Sequence, residues 1–578
     1  MALTTEATWT ERKGTFYNIN DRIMDRMLRT LDESWSPCKH FYRYSNGRHT
    51  EGFDVNPGML FADSLEEQIN AKLHDVFEKF KNRSHKEGSM EEKVFRLYNS
   101  CEAARRENRS SNIFLDVMRP DVNLSWPLYM PEGREWPKDQ FRWLDTLARM
   151  SRYGLRNFLF HVSLRVDSED NRSYITRMSL QKLEAEYGIN LMKFFKIALD
   201  RKLDPNTEIL VDVGYLTELN QMLNSYDQET VAHYLMERFG TFMTSYEKKD
   251  NYQCIVAVRT SMKAACEKLY KKHILGETQE LEAQVQRVFE AIKKQFSRRL
   301  TANRLNLSTT YISNLRKKLE TTTINIGVLP KKKNRQKTDN YLYDKLKFNF
   351  DDDFATMQLN ALDVLAKSED LFQDKFDTLI GSIIIYPGFT IEFGSNRTIF
   401  IPYDLLEEPI FMTQSHDVFK VSLLGYIIAE QLLKALYPMY IDFDCKHYKE
   451  FIDLLDNNQL YWDRSSACSS RHQVDEQNWW GLHLVVLNIV HDAYFSPDSG
   501  FSQEQPDFTS KPLKQLFFLN VAQYITAYNF FWTESTSAPT IPDSPSEKDL
   551  FYNTVFRMPS YAEAFNCSTS DYIVDVEL

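Results

Sequence analysis

Apolar residues recur every three or four positions through most of the first 345 residues, which predicts helices. DRIMDRMLRTLDESW carries such a stripe until Ser36-Pro37 interrupts it. FADSLEEQINAKLHDVFEKF adds charges at i,i+4 spacing. Residues 88–104 and 137–165 read as helical. So do LEAEYGINLMKFFKIALD, TEILVDVGYLTELNQMLNSY, ETVAHYLMERFGTFMTSY and residues 253–300. Brief extended pieces fall near 160–167 and 208–214. After residue 375 the pattern changes. TLIGSIIIYPGFTIEFGSNRTIFIPYDLL alternates β-branched residues with Gly and Pro, the pattern of a small sheet. Helix resumes at 417–437, 479–494 and 511–531, a Ser/Thr/Pro-rich loop spans 533–548, and SYAEAFNC closes on a short helix. The fold class is mainly α with a small β-sheet, without internal repeats.

Composition sets limits on function. The chain has 578 residues, 43% hydrophobic and 13% aromatic, enough for a large core in two lobes. Its net charge of −11 argues against a nucleic-acid partner. The dense basic run Lys331-Lys332-Lys333-Asn334-Arg335-Gln336-Lys337 reads as a solvated loop after Pro330. No apolar stretch reaches 18 residues, so no transmembrane segment is expected. The first 35 residues lack the apolar core of a signal peptide. Against that, N-x-[ST] sequons at Asn82, Asn108, Asn123, Asn171, Asn306, Asn396 and Asn566 suit a secreted glycoprotein.

Several motifs carry a resemblance. Ser36-Pro37-Cys38-Lys39-His40-Phe41-Tyr42-Arg43-Tyr44-Ser45-Asn46-Gly47 resembles the D-P-C-x-D-F-Y-x-Y-A-C-G start of neprilysin-type zinc metallopeptidases, the group that includes endothelin-converting-enzyme-like proteins. LYNSC at 97–101, FRWLDTLARMSRYGLRNFLFHVSLRVDSEDN at 141–171, QLFFLNVAQ at 515–523 and AEAFNC at 562–567 match further family patterns in order. The resemblance implies a thermolysin-like lobe capped by a large helical lobe. Residues 1–50 would pack on the catalytic-like lobe, 51–345 would form the cap, and 346–578 the thermolysin-like lobe. It also implies disulfides Cys38–Cys567 and Cys101–Cys254. A third family bridge would have lost both partners: Asn46 stands at one, and the stretch YITAY directly after QLFFLNVAQ holds no cysteine. Joint loss is what a disulfide constraint predicts. Cys266, Cys445 and Cys468 are left as buried free thiols.

The same resemblance locates the chemistry. A catalytic zinc ion needs three ligands with lone pairs and an open position for water. The family supplies two histidines from H-E-x-x-H and a glutamate from E-N-x-x-D. In LLGYIIAEQLLKAL, residues 423–436, those histidine positions hold Ala429 and Leu433. Alignment on Ala493-Tyr494 puts Trp479 at the glutamate position and His483 at the aspartate. Glu430 keeps the general-base position with no metal-bound water to act on, and a pairing with Lys434 at i,i+4 is the plain expectation. The substrate-binding strand position falls at Phe389-Thr390, without the family's asparagine. No His or Arg occurs in 533–556 to replace the family's transition-state pair. A substitute site from His483 and His491 fails on distance, since i,i+8 positions lie about 12 Å apart. No zinc or other cofactor is therefore expected. The leading expectation is an extracellular, catalytically inactive homologue that binds a peptide or protein, including an active relative. The alternatives are a working zinc endopeptidase whose ligands lie elsewhere, and a purely structural partner.

Overall fold

The computed structural model describes residues 18–47, 57–107, 113–155, 159, 175–244, 252–328, 343–368, 392–394, 398–436, 451, 454–455, 476–523 and 555–568. The architecture is mainly helical with small sheets. The early helices are α1 (Ile19–Thr30), α2 (Phe41–Asn46), α3 (Pro57–Phe80), α4 (Met90–Arg106), α5 (Ile113–Val117) and α6 (Trp143–Ser151). The helix expected over 137–165 stops at Ser151, where the chain turns through Gly154 at φ +100°. LEAEYGINLMKFFKIALD splits into α7 (Leu180–Tyr187) and α8 (Leu191–Leu199). Gly188, at φ +68°, ends the first helix and the Asn190 side chain caps the second.

Strands β1 (Ile175–Ser179) and β2 (Glu208–Asp212) pair antiparallel, Ile175 opposite Asp212. Asp212 then caps α9 (Val213–Asn224) through Tyr215 N. Next come α10 (Gln228–Thr244), α11 (Gln253–Ser261) and α12 (Lys263–Tyr270). Helix α13 (Gln279–Ala302) buries Leu281, Val285, Val288, Phe289, Ile292, Phe296 and Leu300 along one stripe. Its neighbour is α14 (Thr309–Thr321).

A second sheet has the order β3-β5-β4, from β3 (Thr323–Ile326), β4 (Glu392–Gly394) and β5 (Thr398–Ile401). β3 runs parallel to β5, Thr323 opposite Thr398, and β4 runs antiparallel to β5. The strand TINI lies upstream of residue 346, where the sequence pattern showed helices. Its four residues carry too short a pattern to read alone; pairing with β5, 75 residues away, makes the strand.

Helix α15 (Phe354–Ser368) follows, then α16 (Asp417–Leu436), α17 (Glu476–Phe495), α18 over residues 513–523, and α19 (Pro559–Phe565). α16 and α17 pack on each other and both pack on α13. Gly425 sits at the α13 contact: a Cβ there would lie 3.5 Å from Ile292 Cδ1 and Val288 Cγ1. The described part of α16 is buried around nearly its whole circumference, unlike a surface helix with one polar face.

Cys38–Cys567 ties α19 to the start of the chain with a Cα separation of 5.4 Å. Cys101–Cys254 joins α4 to α11 at 5.6 Å. Both expected bridges are present. Cys266 is a buried free thiol whose burial pushes its pKa up to about 12. Cys445 and Cys468 lie outside the described residues.

Candidate functional site

Helix α16 begins behind His416, whose Nδ1 accepts from Val418 N at 3.3 Å and whose backbone N–H donates to Asn20 Oδ1 at 2.7 Å. Asp417 in the first turn suits the helix dipole and pairs with Arg287 of α13 at 3.6 Å. α18 fixes the outer side: Asn520 Nδ2 donates to Phe419 O at 3.1 Å and to Ser422 Oγ at 2.9 Å. These ties anchor the first turns of α16.

Ala429 is 0% exposed, Glu430 1% and Leu433 2%. A methyl and an isobutyl group carry no lone pair, so these two positions do not fit a zinc ion. Among the described residues, no group of three or more His, Cys, Asp or Glu is placed to hold a metal. Trp479 lies on the backbone of α17, with its side chain outside the described residues, as are Phe389, Thr390 and the Lys434 side chain.

Four residues before Glu430, and thus on the same side of the helix, is Tyr426, which is 1% exposed. Its hydroxyl hydrogen-bonds His483 Nδ1 of α17. The two rings lie nearly parallel, 5° apart in plane, with centroids 6.2 Å apart. His483 was legible as a departure from the family's aspartate; Tyr426 was not singled out, though its i,i−4 relation to Glu430 is a usable signal. His491 contacts Phe495, Phe517 and Phe518. Its Nδ1 lies 3.6 Å from Asp492, whose carboxylate pairs with the buried Arg299 at 2.6 Å. The two histidines thus serve different neighbours.

A second buried polar cluster escaped the sequence reading. Arg259 on α11 bonds Asn70 at 2.6 Å and pairs with Glu66 at 2.5 Å and Asp404 at 3.2 Å. Beside it, Glu267 accepts from Val328 N at 2.7 Å and Tyr403 N at 2.9 Å, clasping the ends of β3 and β5 to α12. Burial and the nearby Asp404 push its carboxyl up to about 7.

The model of peptidase family M13 matches residues 37–176 and 165–330, more than half of the chain. The chain belongs to peptidase family M13. Mouse (Mus musculus) membrane metallo-endopeptidase-like 1 is 22% identical over 691 residues, covering 94% of this chain and 87% of that relative. The structure titled Haemonchus galactose containing glycoprotein complex superposes with a TM-score of 0.58 at 14% identity, over 95% of this chain and 96% of the other. Mycobacterium tuberculosis zinc metalloprotease Zmp1, solved with an inhibitor, gives 0.55 at 13% identity, over 94% and 97%. At such identities the likeness establishes the fold, the two-lobed M13 architecture.

Of the sequons, Asn82, Asn123, Asn306 and Asn566 are exposed, while Asn108, Asn171 and Asn396 lie outside the described residues. No helix among the described residues is long and apolar enough to cross a membrane.

Proposed function

We propose that this M13 chain is catalytically inactive and acts outside the cell by binding a peptide or protein. The observation that carries the reading is carbon at residues 429 and 433, packed beside a Glu430 that is 1% exposed. A general base without a metal-bound water has no nucleophile to activate. Apolar filling of a polar cavity also avoids the cost of burying donors and acceptors without partners. The intact disulfides Cys38–Cys567 and Cys101–Cys254 support selection for a folded protein in an oxidising compartment. The exposed sequons at Asn82, Asn123 and Asn306 agree with that location and would carry glycans there. A structural relative solved as a glycoprotein complex agrees with partnership with another chain.

The test is a chelator-controlled cleavage assay on a library of short peptides, run beside a binding measurement on the same peptides. Binding or partner capture without cleavage is the expected outcome. Cleavage abolished by a chelator and restored by zinc would replace this reading with a zinc endopeptidase whose ligands lie elsewhere in the chain.

A further inference from the structure

The helix pair α16–α17 raises a physical question that its apolar content does not answer. Two helices buried on most sides have many near-equivalent ways to slide and rotate against each other, because apolar contact is non-directional. A buried polar link with defined geometry removes that freedom. In α16, Tyr426 places its hydroxyl on His483 Nδ1 of α17, and the ring planes are aligned within 5°. Tyr426 is 1% exposed and its partner His483 is half-buried, so the bond has restricted access to water. The link lies one helical turn from Glu430, beside positions where Ala429 and Leu433 offer no lone pair to an ion.

We infer that the Tyr426–His483 hydrogen bond is the clasp that fixes the register of α16 against α17, so that this helix pair is ordered without a metal ion. The inference rests on the reading that residues 429 and 433 ligate nothing, and goes beyond it by assigning the ordering of the helices to two named side chains. One of the two, the phenol hydroxyl or the imidazole Nδ1, donates and the other accepts, and the bond holds the two ring planes parallel. The other polar fixings of the pair are separate from it. Asn520 holds Phe419 and Ser422 near the start of α16, and Arg299 with Gln295 holds Asp492 near the end of α17. Both anchorages fall toward the end of the pair where Asp417 lies near Tyr494, and Tyr426 and His483 lie farther along both helices from it. Both are positioning residues and neither is assigned a role in turnover.

The experiment is hydrogen exchange resolved by peptide, on the full chain, reading segments 417–436 and 476–495. Tyr426→Phe removes only the hydroxyl and is expected to speed exchange in both segments about tenfold, the size of effect set by one buried hydrogen bond. His483→Ala is expected to do at least as much, and the double variant no more than the worse single, because the two residues lose the same bond. Exchange of the remote β1–β2 strand pair should not change. Independent, multiplying effects in the double variant, or no effect of Tyr426→Phe, would overturn the clasp and leave the inactive reading standing. The same exchange is then read with the metal chelator EDTA on the unaltered protein, where no change is expected. Faster exchange of the two helices in EDTA would show that an ion orders them, and would overturn both the clasp and the inactive reading.

Discussion

Gln523 Nε2 donates to Asn46 Oδ1 at 3.4 Å, joining residues 477 positions apart. Asn46 stands where the family resemblance puts one half of a disulfide, and the other half belongs just after Gln523. The same amide donates to Thr30 Oγ1 at 2.9 Å, whose hydroxyl in turn reaches Ser45 O. A polar junction thus occupies the place of a covalent one. Gln523→Ala should lower stability by about 1 kcal/mol, the net worth of such a hydrogen bond, measured as a fall in the urea midpoint with unchanged slope.

The retained bridges are expected to matter more. Cys38–Cys567 closes a loop of 529 residues, for which the chain-entropy account gives on the order of 5 kcal/mol. Replacing both cysteines by serine should cost roughly 3–5 kcal/mol in denaturant titration. Mass spectrometry of the unreduced protein should recover Cys38 linked to Cys567 and Cys101 linked to Cys254; any other pairing would contradict the fold.

These bridges, the helix content and the sheet after residue 375 were legible in the sequence because each has a local signature or a motif with a fixed partner. Three other features were not. The break at Gly188 needed the positive φ of one residue inside a helical pattern. Strand β3 depended on a partner 75 residues away. The Tyr426–His483 bond joins residues 57 apart on helices whose relative rotation is fixed by tertiary contacts. At the site, Ala429 and Leu433 could be read directly as lacking lone pairs, whereas their burial together with Glu430 required the fold.

Arg259 is 4% exposed at its side chain and pairs with both Glu66 and Asp404. Arg259→Met should destabilise the chain by about 3 kcal/mol, because it leaves two largely buried carboxylates without their cation. The measurement is the midpoint of unfolding in urea. A change smaller than about 1 kcal/mol would show that the carboxylates are relieved by other groups.

Glu267 gives a pH dependence of defined sign. Burial, then the charge of Asp404, raises its carboxyl from 4.5 to about 7, against the opposing pull of Tyr403 N, Val328 N and Lys263. The folded state therefore holds this proton more tightly than the unfolded chain. Its stabilisation is fully present below pH 4.5 and is lost as pH rises through about 7. The contribution lost is on the order of 3 kcal/mol. Urea midpoints compared across that range should fall with rising pH, and Glu267→Gln should flatten the fall.

Metal content of the purified chain tests the central claim most directly, measured by elemental mass spectrometry after expression in zinc-replete medium and dialysis without chelator. With carbon at residues 429 and 433, zinc should stay below about 0.1 ion per chain. Adding Ala429→His, Leu433→His and Trp479→Glu together should raise it toward one. A stoichiometric zinc ion in the unaltered protein, surviving dialysis, would contradict the account.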